Sequence, residues 1–210
     1  QVAAQALEEV IVTAQHREES LQDVPIAITA ISSEELRAAD ISDLNAISLR
    51  TPGFSRGNFT PAQPQLYIRG IGSNADGASE DQSVVVFLDG VYLGRTAGQA
   101  FDLFDLERIE VLRGPQGTLY GKNAAGGALN IITQKPSDEF EGAVEVSGGD
   151  LGYFATRAKV SGPLGENLAG KLSVSYKERD GYVESVASGV DDLNSYDSTG
   201  VRGQLLATPS

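Results

Sequence analysis

The distribution of apolar and polar positions changes character near residue 137. Before that point, short apolar runs of uneven length are separated by turn residues. Glu8–Ala14 is a short β-prone run followed by a charged linker, 15–22, and such a strip is expected to pair with something other than itself. Asp23–Ile31 reads as a strand by its β-branched content. Ser32 and Glu35 fit a capping box opening a helix to about Ala39. A second helix starts near Ser42, with Leu44 and Ile47 on its buried side, and stops at Thr51-Pro52-Gly53. Residues 55–64 read as a polar loop, Gln65–Ile71 as a strand and 72–82 as an acidic loop. Ser83–Leu88 and Val91–Leu93 flank Asp89-Gly90, a pair suited to a type I′ hairpin turn. Gly94–Gln99 reads as a flexible loop, Phe101–Leu106 as short and helical, and Arg108–Leu112 and Ala128–Thr133 as strands around a glycine-dense stretch, 114–127.

After Pro136 the rhythm is regular. Phe140–Gly148, Gly152–Ser161, Leu168–Arg179 and Thr199–Thr208 are segments of about ten residues in which small or polar residues alternate with apolar ones. Lys171, Ser173 and Ser175, for instance, interleave with Leu172, Val174 and Tyr176. A short turn, 162–167, and a long loop, 180–197, separate the later segments. Short turns on one side and long loops on the other fit an outer-membrane barrel meander; alternation by itself fits an ordinary soluble β-sheet equally well. The expected fold is therefore an α+β domain (a small mixed sheet with short helices) over 23–137, preceded by an N-terminal segment, 1–22. The first antiparallel strands of a β-barrel follow over 138–210.

Composition narrows the function classes. The net charge of −13 over 210 residues argues against a nucleic-acid binder. Without Cys there are no thiolate metal sites, disulfides or cysteine nucleophiles, and the single histidine, His16, makes no metal site. No acid–base pair or nucleophile arrangement stands out, so no catalytic residue, metal or cofactor is assigned and an enzyme is not expected. The chain lacks Met and begins Gln1-Val2-Ala3-Ala4, as expected of a processed secreted chain or a cut fragment. Four strands are fewer than the roughly eight a single-chain barrel needs, which also suggests a fragment.

The most specific signal is Leu106-Glu107-Arg108-Ile109-Glu110-Val111-Leu112-Arg113-Gly114-Pro115, then Leu119-Tyr120-Gly121, Gly126-Gly127 and Leu129-Asn130-Ile131-Ile132-Thr133. Gly114–Gly121 lacks the Gly-Lys-Ser/Thr ending of a phosphate-binding loop, since Asn123 follows Lys122. Arg113 ends an apolar strand, where an unpaired charge is costly, so a carboxylate partner is expected. The block resembles the end of the plug domain in TonB-dependent receptors, with Leu129 in the usual Ile position. Tyr67-Ile68-Arg69-Gly70 and Phe87-Leu88-Asp89-Gly90-Val91-Tyr92 resemble two further plug elements.

The resemblance implies several roles. Glu8, Glu9, Val10, Ile11, Val12, Thr13 and Ala14 resemble a TonB box, an extended strip that adds as a strand to its partner. Arg69 and Arg113 are the arginines that in the family pair with glutamates of the barrel wall. Substrate contacts are expected in the loops, with Arg56, Phe59, Asn74, Asp76, Gln82, Tyr92, Arg95 and Gln99 as candidates. With only seven residues before the strip, the extra N-terminal signalling domain of some members is not expected. The implied function is TonB-dependent import of a scarce nutrient across the Gram-negative outer membrane, foremost a ferric siderophore. TonB, the cargo and outer-membrane lipid would be the partners, with the plug inside the barrel and the N-terminus in the periplasm. A free-standing plug acting as adhesin or sensor, and import of cobalamin or carbohydrate, are the alternatives.

Overall fold

A computed structural model of the chain describes residues 10–14, 17, 19–39, 41, 43–60, 63–74, 81–99, 103–183 and 193–209, with backbone alone for 58–60 and Ala97. The chain forms two compact units. One comprises residues up to Gln99 together with Leu106–Thr133; the other comprises 100–105 and Gln134 onward.

The first unit is built on a five-stranded mixed sheet. Its strands are β3 (Ala27–Ser32), β7 (Val84–Leu88), β8 (Val91–Tyr92), β9 (Leu106–Arg113) and β10 (Gly127–Thr133), in the order β3-β9-β10-β7-β8. β10 runs parallel to β7 and antiparallel to β9. β7 is continuously apolar and β10 nearly so, while β9 carries four charged residues; Val86, Ile109, Leu112 and Leu129 have no exposure. Helix α1 (Ser33–Ala38) starts with the expected capping box, Ser32 and Glu35 exchanging both bonds. Helix α2 (Leu44–Ser48) is capped by Asp43, whose side chain accepts the Ala46 amide at 2.9 Å, and it buries Leu44 and Ile47. Ser42, the expected start, lies outside the described residues.

Several expectations change. Residues 55–64 are mostly not a loop. β4 (Phe54–Thr60) pairs with β5 (Gln63–Ile68), and a short β6 (Ile71–Gly72) completes a three-stranded sheet. The strand expected through Ile71 is interrupted at Arg69-Gly70, both with positive φ (53° and 78°), as in a two-residue hairpin turn. Asp89-Gly90 makes the corresponding turn, as expected, at φ 48° and 80°. Thr96–Gln99 forms a 3-10 turn rather than open loop. Phe101, expected to open a short helix, lies outside the described residues, and Leu103–Asp105 has no helix. The glycine-dense stretch contains a single helical turn, α3 (Gly117–Tyr120). Gly126 and Gly127 are sterically required: a Cβ on Gly126 would lie 2.8 Å from the Ile71 carbonyl oxygen, and one on Gly127 would collide with that of Leu112.

The second unit is an antiparallel meander of β11 (Glu141–Gly148), β12 (Phe154–Gly165), β13 (Leu168–Arg179) and β14 (Tyr196–Ala207). Register separates its two faces. Lys159, Ser173 and Arg202 share one row, whereas Val160 and Leu172 share the adjacent row on the opposite face. The apolar face is bare, with Val144, Val201 and Leu205 between 69% and 76% exposed. No helix among the described residues is long and apolar enough to cross a membrane.

Candidate functional site

The strip expected to lie extended is extended but not loose. Its described part, Val10–Ala14, contains β1 (Ile11–Val12), which pairs antiparallel with β2 (Glu19–Ser20). Period-two alternation then decides its packing. Val12 and Ala14 are fully buried against Val24, Val85, Leu112, Ala124 and Ala128, while Ile11 faces outward at 40% exposure. The strip was expected to pair with something other than itself, and among the described residues it packs on β2 and on the core of its own unit. Glu8 and Glu9 lie outside the described residues.

A buried polar cluster holds the strip's backbone. Glu110, with a fully buried side chain, accepts the Thr13 amide at 2.7 Å and the Thr13 hydroxyl at 3.2 Å. Arg108 donates from Nε to Glu110 at 2.9 Å and from Nη2 to the Thr13 hydroxyl at 3.2 Å. The Tyr120 hydroxyl donates to the Ala14 carbonyl at 2.8 Å and accepts from Asn130 Nδ2 at 2.7 Å. Asn130 reaches the second Glu110 oxygen at 3.3 Å. Burial raises the Tyr120 pKa and the Glu110 charge adds to this, against the Asn130 hydrogen bond, so the phenol stays protonated as the donor. A cavity of about 360 Å³ opens beside the strip, lined by Thr13, Arg17, Phe87, Tyr120, Asn130 and Ile132 among others.

The two expected wall-pairing arginines sit near one another. Gly114, directly after Arg113, is close enough to Arg69 that a Cβ there would lie 3.7 Å from its Nη1. Arg69 is exposed on its turn. Arg113 donates to the Pro52 carbonyl at 3.4 Å, and its buried Nε has no hydrogen-bond partner. The carboxylate expected to meet Arg113 is not found among the described residues.

The loop candidates separate into two groups. Gln82 and Gln99 are buried and bonded to each other at 3.0 Å, with Gln99 also donating to the Leu93 carbonyl at 2.9 Å. They join two loops from the inside, so neither of these two candidates presents its side chain at the surface. Asn74, Tyr92 and Arg95 are exposed, and Asn74 accepts from the Tyr67 hydroxyl. Arg56 lies on β4, half-buried, where desolvation lowers its pKa against the opposing charge of Asp43. Phe59 lies on the same strand, and Asp76 is outside the described residues. No group of metal-binding side chains occurs among the described residues.

The polar face of the meander carries a second buried carboxylate, Asp105. It accepts from Lys159 Nζ at 3.0 Å, Lys171 Nζ at 2.5 Å and Ser173 Oγ at 3.0 Å, with Arg202 Nη2 at 3.5 Å. Burial opposes its ionisation, but the hydrogen bonds and charges of Lys171 and Lys159 hold its pKa below the ordinary carboxylate value. Sequence reasoning missed Glu110, Tyr120, Asn130 and Asp105. The one available signal was Glu110 itself, a carboxylate between Ile109 and Val111-Leu112.

Comparison with known proteins places these features in a family. The TonB-dependent Receptor Plug Domain family matches residues 20–128. The chain is 32% identical over 179 residues to the vitamin B12 transporter of Photobacterium profundum, covering 82% of this chain and 28% of that protein. It is 32% identical over 173 residues to the pesticin receptor of Yersinia pestis, covering 80% of this chain and 25% of that protein. The crystal structure of the ferric yersiniabactin uptake receptor of Yersinia pestis superimposes with a TM-score of 0.76 at 29% identity, over 87% of this chain and 29% of that one. The chain thus spans about a quarter of the length of these relatives. With the matched segment covering more than half of its length, the chain belongs to the TonB-dependent receptor plug-domain family.

Proposed function

We propose that this chain is the gate, the coupling handle and the first wall strands of a TonB-dependent outer-membrane importer, with a ferric siderophore as the leading cargo. The observation that carries the reading is the seated strip Val10–Ala14. Its backbone is held by a carboxylate, a phenol and a small apolar pocket rather than by a full sheet ladder. Such a strip can leave its seat and add as a strand to a partner's sheet edge, where backbone hydrogen bonds transmit a pull. TonB is that partner in this reading, and the pull displaces the plug from the passage it blocks.

Other features agree. The bare apolar face of the meander suits contact with lipid, and the polar face suits the lumen. Four strands are fewer than a closed barrel needs, so in this reading they are the start of a longer wall. Arg69 and Arg113 would find their carboxylates on that wall, which accounts for the unpaired Arg113 Nε. The exposed Asn74, Tyr92 and Arg95 are the loop candidates open to contact with cargo in this reading, and Arg56 is half-buried on β4.

The test is deletion of residues 8–14 in the intact receptor. Cargo binding should survive and uptake should stop. Normal uptake would refute the assignment. Cobalamin is the second reading, favoured by the similarity to a vitamin B12 transporter. Growth rescue under iron limitation against rescue of a cobalamin requirement separates the two.

A further inference from the structure

Leu103–Asp105 precedes β9 directly, yet it groups with the strand meander rather than with the sheet that contains β9. The reason lies in residues 104 and 105. The Phe104 carbonyl accepts from Arg202 Nη2 at 2.7 Å, and the Asp105 carbonyl accepts from the Gln134 amide at 3.1 Å. The Asp105 side chain is fully buried, and Lys171 is 1% exposed. Asp105 adopts φ 57°, a left-handed conformation that aspartate takes more readily than most residues other than glycine. The backbone is thus turned to present a carboxylate to donors from two neighbouring strands, β12 and β13, with β14 alongside.

The charge count is uneven. Lys159, Lys171 and Arg202 converge on this one carboxylate, and the next acid, Glu141, reaches Lys159 only at 3.9 Å. Ser173 adds a neutral donor at 3.0 Å. Lys159 also donates to Gln134 Oε1 at 2.6 Å and Lys171 to the Gln134 carbonyl, so neutral acceptors complete their shells while three positive charges share one carboxylate. The arrangement has the form of a ligand site whose ligand is part of the chain.

We propose that Lys159, Lys171, Ser173 and Arg202 form a carboxylate-binding site on the polar face of the meander, with Asp105 as its resident ligand and an external carboxylate as the ligand it takes when that seat is empty. The inference concerns binding alone. It rests on the import reading only for the placement of this polar face toward the lumen. The test below does not depend on uptake, so the two can fail separately.

The probe is sodium acetate against sodium chloride at equal ionic strength and neutral pH, with the intact receptor in detergent. Asp105→Ala empties the seat. Its thermal midpoint should fall by several degrees in chloride and recover by at least half in acetate, with little shift in the parent. Asp105→Asn fills the seat with a neutral group and should fall without recovery. Should Asp105→Ala yield no folded receptor, Lys171→Met decides: it should lower the midpoint of the parent and raise that of Asp105→Asn, where Lys171 has lost its anion. Equal midpoints for Asp105→Ala in acetate and chloride, or a Lys171→Met effect of the same sign and size in both backgrounds, would overturn the proposal.

Discussion

Glu110 and Asp105 are both carboxylates with no exposed side-chain surface, five residues apart in sequence, and they organise different units. Glu110 holds a piece of backbone through the Thr13 amide and hydroxyl, with Arg108 as its one cationic partner among the described residues. Asp105 is surrounded by three cations and a hydroxyl. Charge-assisted bonds are roughly twice as strong as neutral ones, and a buried carboxylate facing several cations is correspondingly hard to remove. The contrast teaches where this chain is built to yield. The seat of the N-terminal strip is a carboxylate that accepts from an amide, a hydroxyl and one described cation, whereas the seat on the meander sets one carboxylate against three cations.

The comparison can be broken most severely at Asp105. Asp105→Ala leaves three cations facing a void and should cost roughly 3–5 kcal/mol in denaturant unfolding of the intact receptor. Glu110→Gln keeps the shape of the other seat and removes its charge, with a smaller expected cost of about 1.5–3 kcal/mol. That loss should appear locally, as amide exchange at Thr13 faster by about 10- to 100-fold. Tyr120→Phe deletes the bond to the Ala14 carbonyl and leaves Asn130 one partner short; about 1 kcal/mol, read by the same exchange experiment, is expected.

Acid offers the mildest perturbation. The folded Asp105 carboxyl titrates below its unfolded value of about 3.9. Its contribution is therefore present above about pH 4 and is lost as pH falls through the lower folded value. Comparing the pH dependence of the melting midpoint in the parent and in Asp105→Asn isolates this part. The parent should lose stability more steeply below about pH 4.

Local chemistry made much of this fold legible. The Ser32–Glu35 capping box, the Asp89-Gly90 turn and the Gly126-Gly127 pair each depend on neighbours in sequence, and each appears where its residues indicate. The alternation after Pro136 likewise gave four strands. What stayed hidden was non-local. Arg56-Gly57-Asn58 carries little β-branched character, and it is a strand because β5 pairs with it. The alternation of Val10, Val12 and Ala14 with Ile11 and Thr13 was visible, but not the surface that receives it, since Glu110 is 97 residues away. Asp105 had no local signal, as its partners Lys159 and Ser173 lie 54 and 68 residues on. Arg69 and Arg113 drew attention through the family motif, while Glu110 inside the motif and Asp105 just before it did not.

The central claim is that one strip is seated on the plug when idle and handed to a partner when the receptor works. Thiol labelling of Val12→Cys in the intact receptor tests it most directly, because Val12 is fully buried while its neighbour Ile11 is 40% exposed. The account predicts that Ile11→Cys is labelled in all cells, and that Val12→Cys is protected in cells lacking TonB and labelled in cells taking up cargo with TonB present. Equal labelling of Val12→Cys in both would contradict it.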